Sequence, residues 1–156
     1  MKYKQLTKEQ FEALHKEFAQ FLASQQIDVK EWTKIKENKP EVADAELNLF
    51  SDVVWDDALT NTNYLEHFSK QNINLFKCEE KSISRIVVQI NKPDFDFFKE
   101  ENFKWFIDNT NDESIQFLKG TKKYTKERNL ELFELVEKGS VISDGKLFEN
   151  IFKLIT

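Results

Sequence analysis

One cysteine, two histidines, three glycines and two prolines are all that this 156-residue chain holds of the residues that usually mark covalent links, metal sites, tight turns and breaks. Cys78 has no partner for an internal disulfide, and a lone thiol fits a reducing compartment. Two histidines and one cysteine do not make a Cys/His zinc site in any usual spacing. Isolated glycines do not build the glycine-rich loops that cradle phosphates, which need several at fixed offsets. A G-x-S-x-G nucleophile elbow is also missing. The expectation is no metal and no organic cofactor. Scarce glycine and proline argue equally against a loop-rich or disordered chain. No apolar run approaches the roughly 18 residues of a membrane span, and "MKYKQLTKEQF" lacks the apolar centre of a secretory signal. A cytoplasmic protein with no membrane partner is expected.

The remaining scarcity is local. Residues 41–68 carry seven acidic side chains and no Lys or Arg, whereas residues 1–40 carry eight basic and six acidic, and residues 69–156 fifteen of each. The net charge of −5 is thus concentrated in one segment. Such a block repels nucleic acid and anionic membrane and attracts a cation or a basic partner.

Fifteen Phe and three Trp, with Ile, Leu and Val, are enough for a core. Thr7 with Gln10 has capping-box spacing, Leu6 with Phe11 has hydrophobic-staple spacing, and Phe11, Leu14, Phe18, Phe21 and Leu22 form a helical stripe. Asp28, Glu31, Ile27 and Trp32 repeat these start signals, and Ile35 continues a shorter helix. Pro40 suits the first turn of a third helix, to Leu59. Its apolar arc includes Val42, Leu47, Leu49, Phe50, Val53, Val54 and Ala58; Asp44, Asn48, Ser51, Asp52 and Asp56 fall opposite. "TNTN" breaks the helix and "YLEHFS" reads as a short turn. "INLFKCE" and "SISRIVVQIN" read as an antiparallel hairpin, with Ile86, Val88 and Ile90 on one face and Ile83, Arg85, Val87 and Gln89 on the other. "FFKEENFKWFIDN" is a helix with Phe98, Phe103, Phe106 and Ile107 inward. "ESIQFLKG" is a third strand, followed by the basic loop "TKKYTKER". "ERNLELFELVEKG" is a helix stopped by Gly139. "SVIS" is a short strand, and "DGKLFENIFKLI" a last helix. The pattern predicts one α+β domain over 1–156, with about six helices on a small, mainly antiparallel sheet built around one β-hairpin.

Four clusters carry candidate chemistry. Glu12 and His15 have the Glu-x-x-His spacing of carboxylate-bridged di-iron bundles, but the second copy such a site needs is missing, which makes His15 a partly buried histidine with one hydrogen-bond partner. Cys78 shares a strand face with Phe76, and Glu79 and Glu80 raise its pKa, so it is expected to be inert. Asp57, which falls inside the apolar arc, with Glu66 and His67 gives a possible acid–base or divalent-metal trio. Lys119, Lys122, Lys123, Lys126 and Arg128 around Tyr124 give a possible RNA contact.

The stretches "YKQLTKEQFEALHKEFAQFLASQQID", "EWTKIKENKPEVADAELNLFSDVVW" and "YLEHFS" resemble a bacterial family of short, functionally uncharacterised proteins. The resemblance implies a bacterial cytoplasm and transfers no catalytic or binding residue. The leading expectation is therefore a non-enzymatic protein-interaction or accessory domain, whose Asp44, Asp52 and Asp56 meet a partner protein with a basic surface. A small enzyme centred on Asp57, Glu66 and His67 is the first alternative, and RNA binding through residues 119–128 the second.

Overall fold

In the computed structural model, which describes residues 1–156, Thr7 opens the first helix as its spacing predicts. Its hydroxyl accepts from the Gln10 N–H at 3.2 Å, and the Gln10 side chain accepts from the Thr7 N–H at 2.9 Å. Two backbone donors that the helix leaves over are thereby satisfied. The predicted first helix is in fact two, α1 (Lys8–Ala13) and α2 (His15–Ala23), because the backbone leaves helical geometry at Leu14. α3 (Val29–Asn38) starts on Asp28, whose carboxylate accepts from the Glu31 N–H at 2.8 Å. α4 (Pro40–Thr60) begins on Pro40, where a missing N–H costs nothing.

Backbone contacts divide the chain into two compact units, Met1–Thr60 and Asn61–Thr156. The first unit holds α1 to α4 around an aromatic cluster. The Phe18 ring lies 5.0 Å from Phe50 and meets Trp32 edge-on at 5.3 Å, while Phe21 stands 5.4 Å from Phe50. Aromatic pairs in this geometry add about 0.5–1.5 kcal/mol beyond the area they bury. Phe50 is only 3% exposed, so the helical phase assigned to α4 holds at its centre. The predicted apolar arc is wider than the surface actually covered: Val42, Leu49 and Val53 are exposed.

The second unit is built on an antiparallel sheet of five strands, in the order β4-β3-β2-β1-β5. These are β1 (Tyr64–Phe68), β2 (Asn72–Cys78), β3 (Ser82–Ile90), β4 (Ile115–Lys123) and β5 (Val141–Ile142). Three helices accompany them: α5 (Glu100–Asp108), α6 (Arg128–Glu137) and α7 (Lys146–Ile155). The α+β class stands, with seven helices in place of six and five strands in place of a sheet centred on one hairpin. "YLEHF" is a strand rather than a turn, and the third predicted strand runs on through "TKK".

Strand register sorts the side chains. Glu66 lies opposite Leu75, Leu75 opposite Ile86 and Ile86 opposite Lys119, so these share one face; His67, Asn74, Val87 and Leu118 share the other. The first face carries the core, in which Ile73, Leu75, Ile86, Val88 and Ile90 pack against Phe95, Phe97, Phe106 of α5 and Phe148 and Ile151 of α7. Phe98 and Ile107, expected inside, are exposed, because Phe95 and Phe97 in the connector before α5 occupy the core instead. The opposite face is partly covered by α6. Gly139 ends that helix at φ +114°, where the Ser140 N–H reaches back to the Leu135 carbonyl.

Candidate functional site

The acidic face of α4 is occupied from within its own unit. Asp52 accepts from the Lys2 N–H at 2.7 Å and from the Tyr3 N–H at 2.8 Å, one bond to each carboxylate oxygen. Asp56 accepts from the Tyr3 hydroxyl at 2.5 Å, with the Lys2 ammonium 3.6 Å away. The Gln5 amide donates to Asp44 at 3.0 Å and to Asn48 at 2.9 Å. Fully buried Ser51 accepts from the Leu6 N–H at 2.9 Å and donates to the Leu47 carbonyl at 2.7 Å. The polar arc read from the sequence is a seam that holds residues 2 to 6. Burial, then the bond to Asp56, pushes the Tyr3 hydroxyl up to about 12. His15, expected to be partly buried, is exposed, with its Nδ1 3.0 Å from the Glu12 carbonyl.

Asp57, placed inside the apolar arc by its helical phase, is exposed in the last turn of α4, which ends at Thr60. Glu66 and His67 are consecutive in β1, and a strand turns consecutive side chains to opposite faces. Glu66 goes to the core face, half-buried, where burial raises its pKa, the Ser143 hydroxyl opposes the rise and the Asp144 carboxylate adds to it. His67 goes to the other face, beneath Gly139, where a β-carbon would stand 3.1 Å from Nε2. The pairing therefore does not bring Glu66 and His67 together.

The five basic residues are also dispersed. Lys119 and Lys123 register with the core face of β3 and Lys122 with its open face. Lys126 is bonded to Glu134. The half-buried Arg128 guanidinium donates to the carbonyls of Thr62 at 2.5 Å, Glu79 at 3.0 Å and Cys78 at 3.1 Å, closing the end of the β1–β2 pair. Arg128 is a structural clamp. Beside it burial pushes the Cys78 thiol up to about 11, with the guanidinium pulling slightly the other way.

A groove of about 790 Å³ runs over the open sheet face between β4 and α6. Phe76, Ile83, Val87 and Leu118 make an apolar floor and Leu135 a wall, with Lys122 and Lys138 at the rim. Arg85 stands in the middle. Its Nε donates at 2.9 Å to the Asn74 side-chain oxygen, Nη2 donates to the same atom, and the guanidinium lies 5.8 Å from the Phe76 ring centre. The acceptor is a neutral amide, so the Arg85 charge is not met by a carboxylate. Opposite Arg85 in the register is Gly120, where a β-carbon would have nothing within 4 Å. The two acids of the groove are engaged: Glu131 by the Thr125 hydroxyl at 2.8 Å and Lys122 at 3.5 Å, and Glu134 by Lys126. Sequence reasoning passed over Arg85, Asn74 and Gly120. The signal was an arginine inside "SISRIVVQI" and a glycine inside "FLKGTKK", each at odds with its strand.

No cluster of three or more His, Cys, Asp or Glu side chains is placed to hold a metal ion. No helix is long and apolar enough to cross a membrane. What the architecture defines is an α+β protein with an open groove beside an edge strand. The chain belongs to DUF6495, a family of unknown function, whose model matches residues 1–156. Neither a curated protein nor a solved structure matches it.

Proposed function

We propose that this chain is a non-enzymatic protein-interaction or accessory module of a reducing compartment such as the cytoplasm, and that its binding element is the β4 edge rather than α4. The supporting observation is β4 itself: nine residues, mostly exposed, paired with β3 on one side only. An unpaired strand edge presents a row of backbone donors and acceptors that another extended segment satisfies. Asp44, Asp52 and Asp56, the acids first expected to meet a partner, already hold residues 2 to 5.

Photo-crosslinking from Leu118, exposed on β4, tests the reading against crosslinking from Lys36, exposed on α3. A discrete protein adduct from position 118 and none from position 36 is expected in the native cell. Adducts equal at both positions, or none from 118, would refute it.

A further inference from the structure

Resting on that reading, we propose that the groove takes an extended, acidic segment of a partner protein, added as a strand to β4, with a Glu or Asp side chain seated on Arg85. Four observations converge on this occupant. The guanidinium has five N–H donors, of which the bonds to Asn74 use two. The remaining three are held in the groove by Asn74 and Phe76, ready for a carboxylate. Arg–carboxylate bonds are among the stronger side-chain contacts, and holding the arginine in place beforehand lowers the entropy lost on binding.

Gly120 supplies the opening. It is exposed, its φ is not positive, and a side chain there would touch nothing. The fold has no steric or conformational need for glycine at that position, in a strand where glycine lowers stability. Its absent side chain leaves clear the space across from Arg85, on the path of a side chain descending from a segment paired to β4. Period-two alternation sends every second residue of an added strand over the groove and the rest away from it. The apolar floor at Ile83, Val87 and Leu118 then takes an apolar residue two positions from the acid. The charge balance has the right sign. Glu131 and Glu134 are occupied by Thr125, Lys122 and Lys126, which leaves Arg85, Lys119 and Lys138 as the groove cations that no carboxylate holds.

The test uses fluorescent nonapeptides in which every second residue is Thr and the residues between them are Glu and Val in turn, and the same peptides with Lys for Glu, blocked at both ends so that only side chains carry charge. Anisotropy with the full chain should give saturable binding of the acidic probe and at least tenfold weaker binding of the basic one. Arg85→Ala should weaken the acidic probe tenfold or more. Gly120→Leu should do the same while leaving the unfolding midpoint unchanged or raised, a combination a structural role for Gly120 does not produce. Binding of both probes alike, binding that survives Arg85→Ala or Gly120→Leu, or no binding of either probe would overturn the proposal. So would displacement of the acidic probe by free glutarate at equal concentration, which would assign the groove to small anions. A partner crosslinked at Leu118 together with indifference to probe charge would leave the interaction reading standing and remove this one.

Discussion

Ser51→Ala tests whether residues 2 to 6 are part of the fold or only rest on it. The hydroxyl accepts from the Leu6 N–H at 2.9 Å inside the protein, where Leu6 is 7% and Ser51 0% exposed. Alanine removes the acceptor and leaves that donor buried without a partner, which costs about 1–3 kcal/mol. The second bond, to the Leu47 carbonyl, contributes less, because that carbonyl keeps its helical partner. Alanine recovers roughly 0.5 kcal/mol of helix propensity. The expected net loss is about 0.5–2.5 kcal/mol, read from urea unfolding with an unchanged slope. Asp52→Ala removes two bonds at the wetter end of the seam, from Lys2 and Tyr3, and should cost about 1 kcal/mol. The double variant should lose less than the sum, because each anchor holds the same short segment. Amide exchange gives the local readout: the Leu6 N–H should lose its protection in Ser51→Ala while the amides of β2 keep theirs. A loss below about 0.5 kcal/mol with Leu6 still protected would refute the account of the seam.

Three further outcomes follow from the second unit. Gly145→Ala combines a φ of +81° with a β-carbon 2.4 Å from the Tyr64 ring, so it should cost about 2 kcal/mol or more in urea unfolding. Tyr64→Ala should remove the steric share and leave about 1 kcal/mol. Cys78, held at about 11 by burial, should react with a thiol reagent at pH 8 roughly a hundredfold more slowly in the folded chain than in urea, from thiolate population alone. The carboxylates of Glu66 and Glu149 should impose opposite pH dependences. Burial raises Glu66, so its stabilising contribution is present below the ordinary glutamate range and is lost as pH rises through the folded value; Glu66→Gln should flatten that limb. Glu149 is lowered by the Lys77 ammonium at 2.9 Å and by the Tyr64 hydroxyl, so its contribution is present above the ordinary range and lost as pH falls. Lys77→Met should weaken the second limb in urea midpoints measured across pH, leaving the part set by the Tyr64 hydroxyl.

Local rules made much of this architecture legible. Thr7 with Gln10 and Asp28 with Glu31 marked two helix starts because capping involves residues three apart, and Gly139 marked a stop because its left-handed backbone is a property of one position. β2 and β3 were legible from alternation. β1 was not, because "YLEHF" mixes apolar and polar residues on both faces: Tyr64, Glu66 and Phe68 on one, Leu65 and His67 on the other. A strand in the middle of a sheet with such a pattern is fixed by its neighbours, not by its own period. The inward assignment of Phe98 and Ile107 failed for a related reason. Helical phase places side chains around an axis, but Phe95 and Phe97 in the preceding connector decide which way that axis turns toward the sheet.

The acidic arc of α4 illustrates the same limit in its sharpest form. Asp44, Asn48, Ser51, Asp52 and Asp56 lie on one side of the helix, as their spacing requires, and a helix face rich in acids ordinarily faces water. Residues 2 to 6 were the missing term. They carry no helical period and no alternation long enough to register, yet their backbone N–H groups need acceptors once Leu6 and Tyr3 are buried. Carboxylates and a hydroxyl spaced by three and four along a helix offer acceptors in a row, which suits an extended segment lying along it. The same demand recurs at the unpaired edge of β4, with the roles exchanged. There the exposed backbone belongs to the sheet and the neighbouring charge is positive, and on the proposed reading the segment that satisfies both comes from a partner protein.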